Sequence, residues 1–218
     1  MRYGDSELLF DAGRATVLRL AEAGSSPTSL TALFVTHAYS DHVCSVPDLA
    51  LSRWALSQVH AAGPLVIVAP AGPAVRVVEG MLNIYRDDIA SRMAHVNRNP
   101  PEVDLRTLEA TYLARQVWSS DDGSVTADAV LVHHEPVVGA VAYRVRSAGG
   151  VVVISGDTVA LGASAQRTGV KHLVLTHLIP SPPEGKDGSA FEEDARRGGY
   201  CGKVTVGSDL ARIEVGGS

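Results

Sequence analysis

Three short, uninterrupted apolar runs constrain the fold of this chain more than any other feature. They cover residues 30–36, 65–69 and 151–154. Runs of this length, bounded by turn residues, are typical of strands that are buried on both faces of a sheet, as happens when helices cover that sheet. Helical spacing of apolar residues at 14–23 and 74–93, among other places, predicts such helices. The sequence therefore predicts an α/β fold.

The second half of the chain is richer in predicted strands than the first. Its predicted elements are strands at 125–133, 140–145, 151–154, 173–176 and 203–206 and short helices at 161–166 and 191–197. The first half adds a strand at 8–10, a helix at 41–59 with Ser40 as its cap, and a polar break at 97–102. No repeat or linker interrupts this order, so we predict one domain over residues 1–218, built from two α/β halves.

Composition limits the classes of function. The net charge of −5 and the pI near 5.9 disfavour a nucleic-acid partner, because proteins that bind nucleic acids usually carry a basic surface. The two cysteines, Cys44 and Cys201, form no CxxC pattern, and we interpret them as reduced thiols. We find neither a charged-then-apolar leader nor an apolar stretch of about 18 residues, so we expect a cytoplasmic protein without a membrane-spanning segment.

Six histidine and aspartate residues lie at or near the ends of predicted strands. They are His37, Asp41, His42, His134, Asp157 and His177. In α/β folds the carboxyl ends of the strands form the binding edge of the sheet. Imidazole nitrogens combined with carboxylates suit zinc, and iron and manganese accept similar sets. A single histidine at a strand end is usually structural, but six such residues together indicate a metal site.

The motifs around these residues resemble those of a known family. Residues 36–42 (THAYSDH) look like the THxHxDH signature of the metallo-β-lactamase superfamily. Four further segments are similar and occur in the family's order: LLFDAG at 8–13, VHHEPV at 132–137, VVISGDT at 152–158 and LVLTHLIP at 173–180. Together they resemble the branch that contains ribonuclease Z and the arylsulfatase-like phosphodiesterases. The resemblance covers most of the chain and is more specific for fold than for substrate.

The resemblance implies a four-layer αβ/βα sandwich with a two-metal site between the sheet edges. It implies zinc as the cofactor, with manganese or iron as alternatives. Two ions are expected. By position in the motifs, the ligands of the first ion would be His37 and His134, those of the second Asp41, His42 and His177, and the bridging ligand Asp157.

The resemblance also implies a reaction. A metal-bound hydroxide would attack the phosphorus or sulfur of an ester, while the cations stabilise the attacking and leaving oxygens. Asp41 is the candidate catalytic residue, because a ligand carboxylate can orient the nucleophile or take its proton. No nucleophilic serine or cysteine is required.

Several neighbouring residues leave alternatives open. His133 competes with His134 because both lie at one strand end, although the family's His-x-Pro spacing favours His134. Asp11 either supports the ligands from behind or accepts hydrogen bonds from the amides of its own turn. Ser155 and Thr158 are interpreted as turn formers. The histidines that match no motif position are interpreted as structural or exposed, namely His60, His95 and His172.

Three departures from the family pattern bear on function. Tyr39 stands where the family has its second histidine, and a neutral phenol is a poorer zinc ligand than imidazole, so one ion instead of two is an alternative. Only nineteen residues separate Asp157 from His177, so the segment that carries a His-Glu motif in ribonuclease Z-like chains is predicted to be shortened. The chain also begins almost at LLFDAG, which predicts either a shortened N-terminus or residues missing from a longer chain.

These observations support three functional hypotheses. The first is a metal-dependent hydrolase of small phosphodiesters or sulfate esters. The second is a tRNA 3′-processing endoribonuclease, which the motif order favours and the acidic charge disfavours. The third is a catalytically degenerate homologue that acts as a binding subunit. The resemblance makes a homodimer a further expectation.

Overall fold

The structure is a computed structural model that describes residues 1–96, 99–158, 161–179 and 188–215. The chain divides into two compact units, one formed by Met1–Asp157 with Glu214–Ser218 and the other by Thr158–Ile213. Residues 97–98 of the predicted polar break and Pro180 of the last motif lie outside the described residues. Each unit is described by itself.

The first unit begins with a five-stranded sheet whose strands follow chain order. Its first pair is antiparallel and the other pairs are parallel. The carboxyl ends of the parallel strands therefore share one edge of the sheet. The strands are β1 (Arg2–Tyr3), β2 (Ser6–Phe10), β3 (Ala32–Phe34), β4 (Leu65–Pro70) and β5 (Val103–Leu108).

The strand β3 is buried on both faces, as its apolar run predicts. Leu33 packs into a core with helix residues such as Leu49, whereas Phe34 packs into a second core with a second sheet. Helices cover one face of the first sheet because the parallel connections carry them there. The helices of this unit are α1 (Thr16–Glu22), α2 (Ser40–Val43), α3 (Val46–Leu56), α4 (Pro73–Gly80) and α5 (Arg86–Val96).

The second sheet of this unit is antiparallel and has four strands in chain order. Its inner face presents Tyr143 and Trp118, whose rings contact Phe34 at centroid distances of 5.2 and 5.7 Å. This unit thus has helix, sheet and sheet layers. The strands are β6 (Arg115–Ser119), β7 (Thr126–Leu131), β8 (Val141–Ser147) and β9 (Gly150–Ile154).

The second unit consists of two helices and a parallel pair of strands. The elements are α6 (Leu161–Arg167), β10 (His172–Leu175), α7 (Ser189–Arg197) and β11 (Lys203–Val206). Tyr200 is buried in this unit and donates a hydrogen bond to the carbonyl of Val170. Within the described part of the chain, none of the helices combines the length and apolar character needed to cross a membrane.

Two predicted helices are wrong in extent. The helix predicted at 41–59 is two helices, α2 and α3, because Pro47 lies in the first turn of α3 and the chain turns just before it. Ser40 is the first residue of α2 and not its cap; the cap position is Tyr39, which makes no side-chain capping bond. The helix predicted at 74–93 is likewise two, α4 and α5, with Gly80 ending the first.

Candidate metal centre

The segment after β3 carries the first part of the centre and is fixed by both sheets. The backbone N–H of Val35 donates to the carbonyl of Val68 in β4. The Tyr143 hydroxyl, from β8, donates to the carbonyl of Val35 at 2.7 Å. Val141 donates its N–H to the carbonyl of Thr36. His37, the next residue, is therefore held at the carboxyl edge of the first sheet and is buried.

Asp11, which follows β2, connects two of the candidate ligands. Its Oδ1 accepts the backbone N–H of Thr36, and its Oδ2 accepts the Thr36 hydroxyl, both at 2.7 Å. The same Oδ2 lies 2.8 Å from Nδ1 of His42. The partners of Asp11 thus include a candidate ligand histidine as well as a backbone amide, which favours the supporting role that the sequence left open.

These contacts fix the tautomers of two histidines. The Thr36 hydroxyl gives its proton to Asp11, so at 2.9 Å it accepts a hydrogen bond from Nδ1 of His37. His42 likewise donates from Nδ1 to the Asp11 carboxylate. With Nδ1 as donor in both rings, the Nε2 atoms carry the lone pairs when the imidazoles are neutral. A metal-ligating histidine is commonly held in this way by a carboxylate or hydroxyl behind it.

Asp157 lies between two histidines at the end of the segment that follows β9. Its Oδ1 is 3.4 Å from Nε2 of His42, and its Oδ2 is 3.8 Å from Nε2 of His134. The ring centroids of His37 and His134 are 4.9 Å apart. One ligand atom from each of His37, His134 and Asp157 lies within 4.8 Å of the others.

The buried nitrogens of this cluster test whether a cation fits. Nε2 of His37 and Nε2 of His134 are both buried and have no hydrogen-bond partner among the described residues. An unsatisfied buried polar atom costs about 1–3 kcal/mol, so proteins rarely leave two together. Two imidazole lone pairs beside the Asp157 carboxylate match the ligand preference of zinc and related cations. The residues present fit a divalent metal ion.

The pKa values of the two neighbouring imidazoles shift in opposite directions. Burial lowers the pKa of His37 to about 4, and the nearby His42 adds to that effect, so His37 is neutral at pH 7. Burial also acts to lower the pKa of His42, but the hydrogen bond to Asp11 and the charges of Asp11, Asp157 and Asp41 outweigh it and raise the value. His37 is therefore neutral and has an unprotonated Nε2 at pH 7, whereas the protonation of His42 is favoured by the carboxylates around it.

Two glycines of the motifs allow close contacts that no other residue would permit. A Cβ on Gly13 would lie 2.1 Å from the carbonyl oxygen of Asp41. A Cβ on Gly156, which has φ +60, would lie 2.9 Å from the Thr36 side chain. The turn after β2 therefore packs directly on the start of α2, and the turn before Asp157 packs directly on the segment that carries His37.

The remaining predicted residues differ in their surroundings. Oδ2 of Asp41 lies 3.9 Å from Nε2 of His42, and the Asp41 side chain is partly exposed. His133 is exposed and its ring lies 5.9 Å from that of Tyr112, so His134 and not His133 faces His37. His177 follows β10 in the second unit and has φ 54, a conformation that is uncommon for a residue other than glycine.

Tyr39, the residue in place of the family's second histidine, lies on this centre as well. Its ring is 5.1 Å from that of His37 and 5.4 Å from that of His134. Sequence analysis assigned no role to two other contributors, Thr36 and Tyr143. The position of the Thr36 hydroxyl next to His37 was a signal for the first. No local signal could indicate the second, because the contact of Tyr143 with Val35 joins residues 108 positions apart.

The sequence matches one family model and several named relatives over most of its length. The family model of the metallo-beta-lactamase superfamily matches residues 1–169. A protein of Mycolicibacterium paratuberculosis named ribonuclease Z is 31% identical, with 99% of this chain and 90% of that protein covered. A ribonuclease Z of Mycobacterium bovis is 29% identical with the same coverage. Both alignments span 261 positions, more than the 218 residues of this chain, so the relatives contain internal residues that this chain lacks.

Solved structures agree on the fold. The metallo-beta-lactamase fold protein YhfI of Bacillus subtilis matches 95% of this chain and 87% of its own, with a TM-score of 0.67 and 16% identity. The short form of human tRNase Z matches 99% of this chain and 90% of its own, with a TM-score of 0.58 and 17% identity. The chain belongs to the metallo-beta-lactamase superfamily, in the branch that includes ribonuclease Z.

Proposed function

We propose that the chain is a metal-dependent phosphodiesterase that cleaves RNA, as an endoribonuclease of the ribonuclease Z type. The observation that carries the proposal is the cluster of His37, His134 and Asp157, with its two unpartnered buried nitrogens. It occurs in a chain that aligns over 99% of its length with relatives named ribonuclease Z. The sequence alone ranks small-ester hydrolysis first. The names of the relatives favour the RNA substrate instead.

His37, His134 and Asp157 would hold the first cation, and Asp41, His42 and His177 the second, with Asp157 shared by both. The tautomers fixed by Asp11 and Thr36 support this assignment, because they present Nε2 lone pairs at the centre. The donor set suits zinc, although manganese and iron use similar ligands. A bound divalent cation supplies positive charge for phosphate oxygens and lowers the pKa of a coordinated water.

Asp41 is the proposed proton acceptor of the reaction. Its carboxylate lies 3.9 Å from Nε2 of His42 and is partly exposed. It can therefore contact both solvent and a bound substrate. Asp157 is more enclosed and lies between imidazoles, which suits a residue that holds ligands together. His42 is kept in one orientation by Asp11, and Asp11 is itself held by two bonds from Thr36.

Tyr39 supports a second hypothesis, a protein that has lost catalysis. With a phenol in place of imidazole, the first cation would have only three protein side chains from the described motif. The ring of Tyr39 is nevertheless beside both His37 and His134 and not turned away from them. Bound-metal analysis tests the phosphodiesterase first, because that enzyme needs at least one cation, whereas a silent subunit can bind metal or do without it.

The test is cleavage of a precursor tRNA with a 3′ trailer by the purified protein loaded with zinc. Bis-p-nitrophenyl phosphate and p-nitrophenyl sulfate are assayed in parallel, which distinguishes RNA cleavage from small-ester hydrolysis. We expect precursor cleavage that a strong chelator stops and that Asp157→Ala abolishes. Asp128→Ala is the matched control, because Asp128 is a buried carboxylate that pairs with Arg144 and Arg146 on the second sheet.

Three results would contradict the proposal. Turnover that survives both the chelator and Asp157→Ala would exclude a reaction at this centre. Hydrolysis of the small esters without any cleavage of RNA would favour the first hypothesis from the sequence, a hydrolase of small phosphodiesters or sulfate esters. Absence of every activity in protein shown to contain metal would favour the silent homologue.

A further inference from the structure

We infer that Tyr112 and His133 form a stacking platform for a nucleobase next to the scissile phosphodiester. The inference deepens the proposed function and rests on it for the identity of the substrate. Four observations carry it: the pairing of the two rings, the exposure of Tyr112, the attachment of its loop, and the position of His133 in the chain.

The rings of Tyr112 and His133 lie close to each other. Their centroids are 5.9 Å apart with an interplanar angle of 38°. Tyr112 is 66% exposed, and Leu113 beside it is 72% exposed. One exposed tyrosine is ordinary on a protein surface, but an exposed tyrosine paired with an exposed histidine offers aromatic ring faces of the kind on which bases stack.

The loop that carries Tyr112 is attached to the strand that leads to the centre. It connects β5 with β6, and the carbonyl of Thr111 accepts the N–H of Leu131, the last residue of β7. The Thr111 hydroxyl donates to the carbonyl of Leu113 and so closes the loop on itself. Tyr112 is therefore positioned relative to the end of β7 and does not depend on a contact with substrate.

The platform is continuous with the proposed ligands. His133 and His134 are consecutive, so their Cα atoms are about 3.8 Å apart. The ring of His134 faces His37 in the cluster, whereas that of His133 faces Tyr112 outside it. A phosphodiester held at the cluster would thus place one of its attached nucleosides beside the two rings. A nucleobase is the flat group that RNA offers there, and every base has a face that can stack.

The experiment measures binding, independently of cleavage. A six-nucleotide fluorescein-labelled single-stranded RNA is titrated with the protein, and anisotropy gives the Kd while a denaturing gel confirms that the RNA is intact. Tyr112→Ala is expected to raise the Kd about tenfold, in line with the loss of one stacking partner. Tyr112→Phe, which keeps the ring, is expected to stay within twofold of the unsubstituted protein. Tyr85→Ala is the matched control, since Tyr85 is a partly exposed tyrosine between α4 and α5.

A set of RNAs with one abasic site, moved along the strand, identifies the stacked base. At the position that stacks, removal of the base should weaken binding, and Tyr112→Ala should then cause no further loss. The inference is overturned if Tyr112→Ala binds within twofold of the unsubstituted protein, if Phe is as weak as Ala, or if the loss is the same with every abasic RNA. Tyr112-dependent RNA binding by a metal-loaded protein that does not cleave the precursor tRNA would refute the proposed function and leave the platform standing.

Discussion

Asp11→Asn is the substitution that most directly tests the logic of the centre. The change keeps the shape of the side chain, and asparagine tolerates the left-handed conformation of this residue, whose φ is 57. The amide oxygen can still accept the N–H of Thr36. The amide nitrogen, however, takes the place of Oδ2 and can only donate hydrogen bonds.

That donor reverses the proton arrangement behind both histidines. It would give a hydrogen bond to Nδ1 of His42 and another to the Thr36 hydroxyl, which would then turn its own proton toward Nδ1 of His37. Both imidazoles would then carry their proton on Nε2, which is the atom that we propose as the metal ligand. Restoring the ligand tautomers then costs two hydrogen bonds at about 1 kcal/mol each, or about 2 kcal/mol. At about 1.4 kcal/mol per factor of ten, zinc affinity should fall about thirtyfold.

The assay is a titration with zinc against a competing chelator, together with NMR of the ring nitrogens to identify the tautomers. Asp128→Asn serves as the control, because it neutralises a buried carboxylate that contacts Arg144 and Arg146 instead of a histidine. It should lower stability without changing zinc affinity. Zinc affinity of Asp11→Asn within twofold of the unsubstituted protein would refute the reasoning.

Three further predictions concern residues around the same centre. Tyr143→Phe should lower the free energy of unfolding by about 1–3 kcal/mol in urea titrations, because the buried carbonyl of Val35 loses its donor; an unchanged midpoint would count against this role. Tyr39→His should tighten zinc binding by about tenfold or more, and equal affinities would show that position 39 does not face the ion. The metal-free protein should lose about 2–3 kcal/mol of stability as the pH falls from about 6.5 to 4, because the folded pKa of His37, about 4, lies below the unfolded value and the unfolded chain binds the proton first. His37→Asn should flatten that part of the stability curve in thermal melts, while the raised pKa of His42 acts with the opposite sign, its contribution being lost as the pH rises.

Much of the fold could be predicted because its signals are local. The run at 65–69 is strand β4, and the predicted strand at 203–206 has the bounds of β11. The strands β5 and β6 were not predicted, because charged residues such as Arg106 and Arg115 interrupt their apolar pattern and one face of each is partly exposed. A strand at a sheet edge needs only half of its side chains to be apolar, so the sequence shows it weakly.

The candidate site divides in the same way. Placement of histidines and aspartates at strand ends, with the motif resemblance, favoured His134 over His133, and the centroid of the His134 ring lies 4.9 Å from that of His37. The hydrogen bonds that hold the candidate site together could not be predicted from the sequence. The bond between Asp11 and His42 joins residues 31 positions apart, and the bond between Tyr143 and Val35 joins residues 108 positions apart. These contacts depend on which strands become neighbours, and hydrophobic periodicity does not specify that. The ligand roles of all six predicted residues, and the catalytic role of Asp41, stay predictions.

The packing of Gly13 on Asp41 has a consequence for variation in this protein. Because an added methyl group would overlap the Asp41 carbonyl, every substitution at position 13 must move the backbone that presents Asp41 and His42. In a saturation library selected for function, position 13 should therefore be depleted of alanine and serine as strongly as of large residues. Gly4, where an added Cβ meets nothing within 4 Å although φ is +54, should tolerate asparagine.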